Sequence, residues 1–186
     1  VVVIEDVEVA PGVVMRPAVV GDAEELSRAY RRNREHLRPW EPRRGEAFYT
    51  PEGQRARLRE QVELAGAGRL VPWVLARDGV IVGVMTLSNV ALGPFRSANL
   101  GYWVDAGHVG RGLATAGVRL VCRTADEVLG LHRIEAGTLI ENAASQRVLD
   151  KCGFERIGVA RDYLHIDGRW RDHVLFQRIL NRRAPG

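Results

Sequence analysis

The sequence predicts a mixed α/β domain, a mostly antiparallel sheet of about seven strands with helices packed on it, and three observations carry that prediction. Apolar residues alternate at period two in some segments and recur at helical spacing in others, in the order strand, two helices, three strands, helix, strand, helix, two strands. Two pairs of β-rich runs are each joined by an Asp-Gly dipeptide, a sequence that takes the positive φ angles of a tight hairpin turn. A glycine-rich turn then joins a short strand directly to a helix. At 186 residues, 46% of them hydrophobic, and with no repeat or low-complexity stretch, the chain is expected to form a single domain over residues 1–186.

The elements follow in order. A strand is expected around Val13 to Arg16. Asp22 followed by Glu25 reads as a capping box, with Leu26, Ala29, Tyr30 and Leu37 continuing at helical spacing, so the first helix is expected from Ala23 to His36. Arg38-Pro39-Trp40-Glu41-Pro42 stops it. Thr50 and Pro51 start a second helix as cap and first-turn proline, with Leu58, Val62 and Ala65 expected inward. Leu70 to Arg77 and Val80 to Leu87 form a hairpin across Asp78-Gly79. Asn99 to Val104 is a strand that runs into the turn His108 to Thr115, after which Val118, Val121, Cys122, Ala125 and Val128 mark a helix. Leu131 to Ile140 alternates as a strand, Asn142 opens a helix that closes at Cys152-Gly153, and a last hairpin joins Phe154–Ile166 to Arg169–Leu180 across Asp167-Gly168.

Composition excludes several classes. The net charge is +4 and the basic residues are almost all arginine, Lys151 being the single lysine, yet they are scattered among 23 acidic residues. That distribution suits a polyanionic small molecule better than a dedicated nucleic-acid surface. Cys122 and Cys152 sit in helix-like apolar patterns and read as buried free thiols, and no HExxH or paired CxxC spacing suggests a metal. The opening Val1-Val2-Val3-Ile4-Glu5-Asp6 is apolar too briefly for a signal peptide, and no apolar run approaches about 18 residues, so a cytoplasmic protein without a membrane segment is expected.

The chemistry concentrates around Val109-Gly110-Arg111-Gly112-Leu113-Ala114-Thr115. A helix N-terminus leaves backbone N–H groups unpaired beside a positive dipole end, and small residues let an anion approach them. The same glycines also suit a plain strand-to-helix turn. A P-loop would need G-x-x-x-x-G-K-[ST], which is absent, and a dinucleotide fingerprint would need glycine where Thr115 stands.

The stretch resembles the pyrophosphate-binding turn of the GNAT N-acetyltransferase superfamily, usually Q/R-x-x-G-x-G/A, with Val109 departing at the first position. Because such a turn binds through main-chain N–H groups, the departure removes one polar contact and leaves the cradle, and Arg111 can supply charge. Downstream, Glu141 to Phe154 resembles the N-x-x-S-x-x-[LV]-x-x-x-x-G-F signature of the RimJ/RimL-like branch. His36 to Pro42, Arg96-Ser97 through Gly101-Tyr102-Trp103-Val104, and Leu131 to Ala136 are similar to that branch as well.

The resemblance implies helices on both faces of the sheet and a splayed central strand pair, with backbone groups of Trp103 and Val104 along the pantetheine arm of acetyl-coenzyme A and the turn 109–115 on its pyrophosphate. Asn142 reads as a helix cap or, within the motif, as an amide on pantetheine. Ser145 reads as a surface serine or as a proton donor to departing coenzyme A. Asp162 stands where RimL-like proteins carry an acidic group for amine deprotonation, although a solvated residue paired with an arginine is the more common fate of a charge in a hairpin; Glu41 or a water chain are alternatives. Trp40, Glu41, Tyr102 and Tyr163 are expected to wall the acceptor site, with Phe48 and Tyr49 of the same loop nearby. The implied function is transfer of acetyl to a protein N-terminal α-amine; a small amine such as a polyamine, aminoglycoside or amino-acid derivative is the alternative, and a non-catalytic acyl-coenzyme A binding module a third. A monomer or homodimer is expected.

Overall fold

The structure is a computed structural model describing residues 4–184, so Val1, Val2 and Val3 of the apolar opening lie outside the described residues. Eight strands form one sheet: β1 (Val7–Ala10), β2 (Val13–Pro17), β3 (Val71–Arg77), β4 (Val80–Ala91), β5 (Ser97–Val104), β6 (Arg133–Leu139), β7 (Glu155–Ile166) and β8 (Arg169–Ile179). Their order across the sheet is β1-β2-β3-β4-β5-β6-β8-β7, antiparallel everywhere except between β5 and β6. The helices are α1 (Ala23–Arg32), α2 (Arg34–Leu37), α3 (Pro51–Gly66), α4 (Leu113–Glu127) and α5 (Ala143–Lys151).

One strand more than the expected seven is present. β1 pairs with β2 through a turn at Pro11-Gly12, where Gly12 has φ +71°; that dipeptide is the signal the period-two reading passed over. The two Asp-Gly hairpins form as expected, with positive φ at Asp78, Gly79, Asp167 and Gly168.

Apolar side chains divide between the two faces of the sheet. On one, α4 and α5 cover Met15, Leu75, Met85, Leu100, Ile134 and Phe176; on the other, α1 and α3 cover Val74, Ile81, Val84 and Trp103. Cys122 and Cys152 are buried and free. Gly117 is where α4 meets the sheet most closely, since a Cβ there would lie 2.3 Å from Met85 Cε.

Three local expectations are corrected. The first helix breaks at Asn33 instead of running to His36, because Asn33 leaves helical geometry (φ −101°, ψ 8°) to bind Asp105 through Nδ2 at 2.7 Å and the Ala106 N–H through Oδ1 at 2.9 Å. The Asp22–Glu25 capping box does not form: the Asp22 carboxylate accepts from Arg16 and from the Val19 N–H, and Glu25 Oε1 faces the Ile81 N–H. Val62 is exposed, because the buried stripe of α3 runs through Gln54 and Leu58, and Gln54 reaches back to the Phe48 carbonyl at 2.6 Å. The Thr50 cap does form, its Oγ1 accepting the Gly53 N–H at 3.0 Å.

Candidate active site at the splayed strands

The one parallel junction in the sheet is short. β5 and β6 pair only at Ser97↔Arg133, Ala98↔Ile134 and Asn99↔Glu135, after which the strands part while each stays bonded to its outer neighbour. Residues 100–104 of β5 and 136–139 of β6 therefore flank an opening in the middle of the sheet. Continuing the register sets Gly101 level with Gly137, and Tyr102 level with Thr138.

β5 ends in a network that fixes where the next turn begins. Asp105 is buried and accepts from Asn33, from Arg32 Nε at 2.8 Å and from the Gly107 N–H at 2.8 Å. Burial by itself would raise its carboxyl, but those donors outweigh it and hold Asp105 well below the usual carboxylate range. From this anchor the chain passes Val109, Gly110 and Arg111, all exposed, to Gly112, which caps α4 with φ +77°; Gly110 has φ +75°. The first helical bond is from the Ala116 N–H to Gly112 O at 2.9 Å, so the N–H groups of Leu113, Ala114 and Thr115 have no partner within the helix. A Cβ at either glycine would meet nothing within 4 Å. The turn is thus open space lined by backbone donors at a helix N-terminus, which fits a pyrophosphate.

α5 begins at the other lip of the opening. Asn142 Oδ1 accepts the Ser145 N–H at 3.1 Å, so the capping role is real, and its Nδ2 is left for a further partner. Ser145 Oγ lies 2.7 Å from Tyr102 Oη, a hydrogen bond that crosses from α5 to the splayed part of β5. Burial pushes the Tyr102 phenol up to about 12, against the opposing effect of that bond, so it stays protonated. Asn142 and Ser145 are brought together as the sequence suggested, whereas Tyr102, expected to wall the acceptor site, joins them on the α4/α5 side because its alternate position on β5 faces that layer.

The opposite face looks different. Trp103 points into the α1/α3 layer and donates from Nε1 to Tyr30 Oη at 3.2 Å; Phe48 packs edge-on against Tyr30 at 4.8 Å. Tyr30 lines a cleft of about 450 Å³ together with Arg34, Glu41, Arg44, Tyr49 and Asp167. The Glu41 carbonyl accepts the Asp167 N–H at 3.0 Å, tying this loop to the β7–β8 turn. Burial pushes the Glu41 carboxyl up, offset in part by Arg44 and Arg57. Gly101 and Gly137 are both exposed on this face, and a Cβ on Gly137 would touch Tyr163 at 3.6 Å and His173 at 3.7 Å. Trp40 is exposed and lies outside the cleft lining.

Asp162 falls in a bulge of β7, where Arg161, Asp162 and Tyr163 stand opposite Asp172 alone. It is exposed, has φ +47°, and its N–H donates to Asp172 Oδ1 at 2.9 Å. Asp162 is not part of the cleft lining, whereas Glu41 is. Gly101, Gly137 and Thr138 belong to the opening and carried no local signal of it, since each is defined by where β5 and β6 separate, and the helical spacing that placed Tyr30 on α1 did not show that it lines the cleft.

Known proteins share this arrangement. Residues 13–155 match the family model described as the acetyltransferase (GNAT) domain. The chain is 38% identical over 156 residues to the [ribosomal protein uS5]-alanine N-acetyltransferase of Escherichia coli, covering 83% of this chain and 80% of that protein. The crystal structure of the ribosomal-protein-S5-alanine acetyltransferase from Vibrio fischeri superposes with a TM-score of 0.93 at 33% identity, over 97% of this chain and all of that one. Mycobacterium smegmatis RimJ in complex with CoA-disulfide gives 0.86 at 36% identity, over 90% and 81% of the two chains. With a strand pair that opens after three residue pairs, a donor-lined turn beside it and these relatives along most of its length, the chain belongs to the GNAT acetyltransferases, as an N-acetyltransferase of the RimJ/RimL-like kind.

Proposed function

We propose that the protein transfers acetyl from acetyl-coenzyme A to the α-amine of a protein N-terminus, a ribosomal protein being the leading acceptor and the cytoplasm the place of action. The observation that carries this reading is the opening between β5 and β6, which has a donor-lined turn and a Tyr102–Ser145 pair on one face and a half-buried carboxylate cleft on the other. The relatives named above as uS5- and S5-alanine acetyltransferases support the acceptor class.

Acetyl-coenzyme A supplies the activated acyl group. The N–H groups of residues 113–115, with Gly110, Arg111 and Gly112, hold its pyrophosphate; backbone groups of Trp103 and Val104 flank its arm, and Asn142 Nδ2 is free to donate to it. Glu41, which lines the cleft, faces the incoming ammonium group and takes up its proton in place of Asp162, which lies outside that lining. Nitrogen bonds the acetyl carbon as the carbon–sulfur bond breaks, sulfur leaving with the electron pair; Ser145, held by Tyr102, gives its proton to the sulfur, and the second proton shed by the nitrogen restores the serine hydroxyl. An α-amine near pKa 8 is roughly a tenth neutral at pH 7, a lysine amine less than about a thousandth, so one modest base suffices for the former.

The test is thiol release from acetyl-coenzyme A with peptides beginning in Ala or Ser, N-terminally blocked lysine peptides, polyamines and aminoglycosides. Release with free N-terminal peptides alone is expected; release only with small amines would replace the acceptor assignment.

A further inference from the structure

Thr138 lies on β6 and is only 4% exposed, yet its Oγ1 has no hydrogen-bond partner among the described residues. Buried hydroxyls are nearly always bonded, and a valine would fill the same space without a polar atom to satisfy. A threonine left wanting in this way points to a partner that arrives from outside.

Its place in the sheet says which partner. Ile134 and Ala136 precede it at two-residue spacing and both pack into the α4/α5 core, so Thr138 belongs to that face of β6. The Ala98↔Ile134 pairing carried forward sets Thr138 level with Tyr102, across the gap where the strands have parted. Tyr102 Oη is already bonded to Ser145 Oγ at 2.7 Å, so each of these two hydroxyls has a partner. The third hydroxyl at this level, on the far lip, is the one without a partner.

We propose that Thr138 Oγ1 hydrogen-bonds the sulfur end of the coenzyme A arm, completing with Tyr102 and Ser145 a ring of hydroxyls around the thioester. The inference rests on the proposed use of a coenzyme A thioester in this opening, and is independent of the acceptor. A hydroxyl donor there gains strength as sulfur accumulates negative charge, so Thr138 binds the leaving group more tightly than the intact thioester. Standing on β6, across the gap from Tyr102 on β5, it holds the sulfur from a second side.

The experiment compares the wild-type protein with Thr138→Val, which keeps the shape and removes the hydroxyl, and Thr138→Ser, which keeps the hydroxyl. Affinities for coenzyme A and for desulfo-coenzyme A are measured by calorimetry, and melting temperatures are recorded with and without ligand. The wild-type protein should prefer coenzyme A to its desulfo analogue by a factor on the order of ten. Thr138→Val should erase most of that preference while the free protein melts no lower than wild type, since the lost hydroxyl had no partner, and Thr138→Ser should retain the preference. An undiminished preference in Thr138→Val, or a clearly lower melting temperature of its free form, would overturn the assignment. Failure of the wild-type protein to bind coenzyme A would overturn it together with the proposed cosubstrate, whereas normal binding without acetylation of any N-terminal peptide would remove only the acceptor reading.

Discussion

Gly112 caps α4 at φ +77° in space that a side chain would not crowd, so its glycine is required by backbone conformation and by whatever approaches the turn. Gly112→Val should leave the fold in place at a cost of about 1–2 kcal/mol and abolish measurable coenzyme A binding by calorimetry. Ser145→Ala should lower kcat by about 100-fold with little change in coenzyme A affinity, because its hydroxyl acts on the leaving group and not on the grip. Glu41 carries a sign that can be checked. Burial raises its carboxyl, so its contribution to stability is fully present below the ordinary carboxylate value and is lost as pH rises through the elevated one. Glu41→Gln should therefore melt higher than wild type at about pH 7, show no such gain below the ordinary carboxylate range, and turn over more slowly throughout. Asn142 and Ser145 were legible in the sequence because their spacing is set within one helical turn. Thr138 was not, since a threonine in an alternating strand gives no sign of lacking a partner until the neighbouring strand is seen to leave.

At the scale of elements, what the sequence made legible depended on how local the cause was. Asp78-Gly79 and Asp167-Gly168 announce their hairpins because two adjacent residues alone adopt the required positive φ angles. The break at Asn33 could not be read, because the group that draws Asn33 out of the helix is Asp105, far along the chain. Val62 was misplaced for the same reason: helical spacing gives a stripe, and the docking of α3 over Gln54 and Leu58 chooses which one is buried. Asn33→Ala should cost about 1–3 kcal/mol in urea unfolding by leaving Asp105 and the Ala106 N–H short of partners. The opening itself is the element that matters most. Gly137→Val places its Cβ in ordinary contact with Leu175, Tyr163 and His173, so the sheet tolerates it while the gap narrows. Acetyl transfer to a peptide should fall by tenfold or more, an order-of-magnitude figure, with coenzyme A affinity unchanged.

For the whole molecule, the two faces of one sheet divide the labour. The donor-lined turn and α5 lie on the α4/α5 side, and the Glu41 cleft lies on the α1/α3 side, so neither ligand has to leave before the other enters. Initial-rate plots with both substrates varied should accordingly intersect, as for a ternary complex, and parallel lines would contradict this geometry. The same division rests on a narrow seam: five strands on one side and three on the other are joined by only three residue pairs of β5 and β6. A ligand laid along that seam touches both parts of the sheet where their strands have parted, and binding to the folded form alone adds to its stability by mass action. With acetyl-coenzyme A as the proposed cosubstrate, the protein's resistance to unfolding and proteolysis should then rise with the concentration of that thioester, as protease digestion across a titration would show.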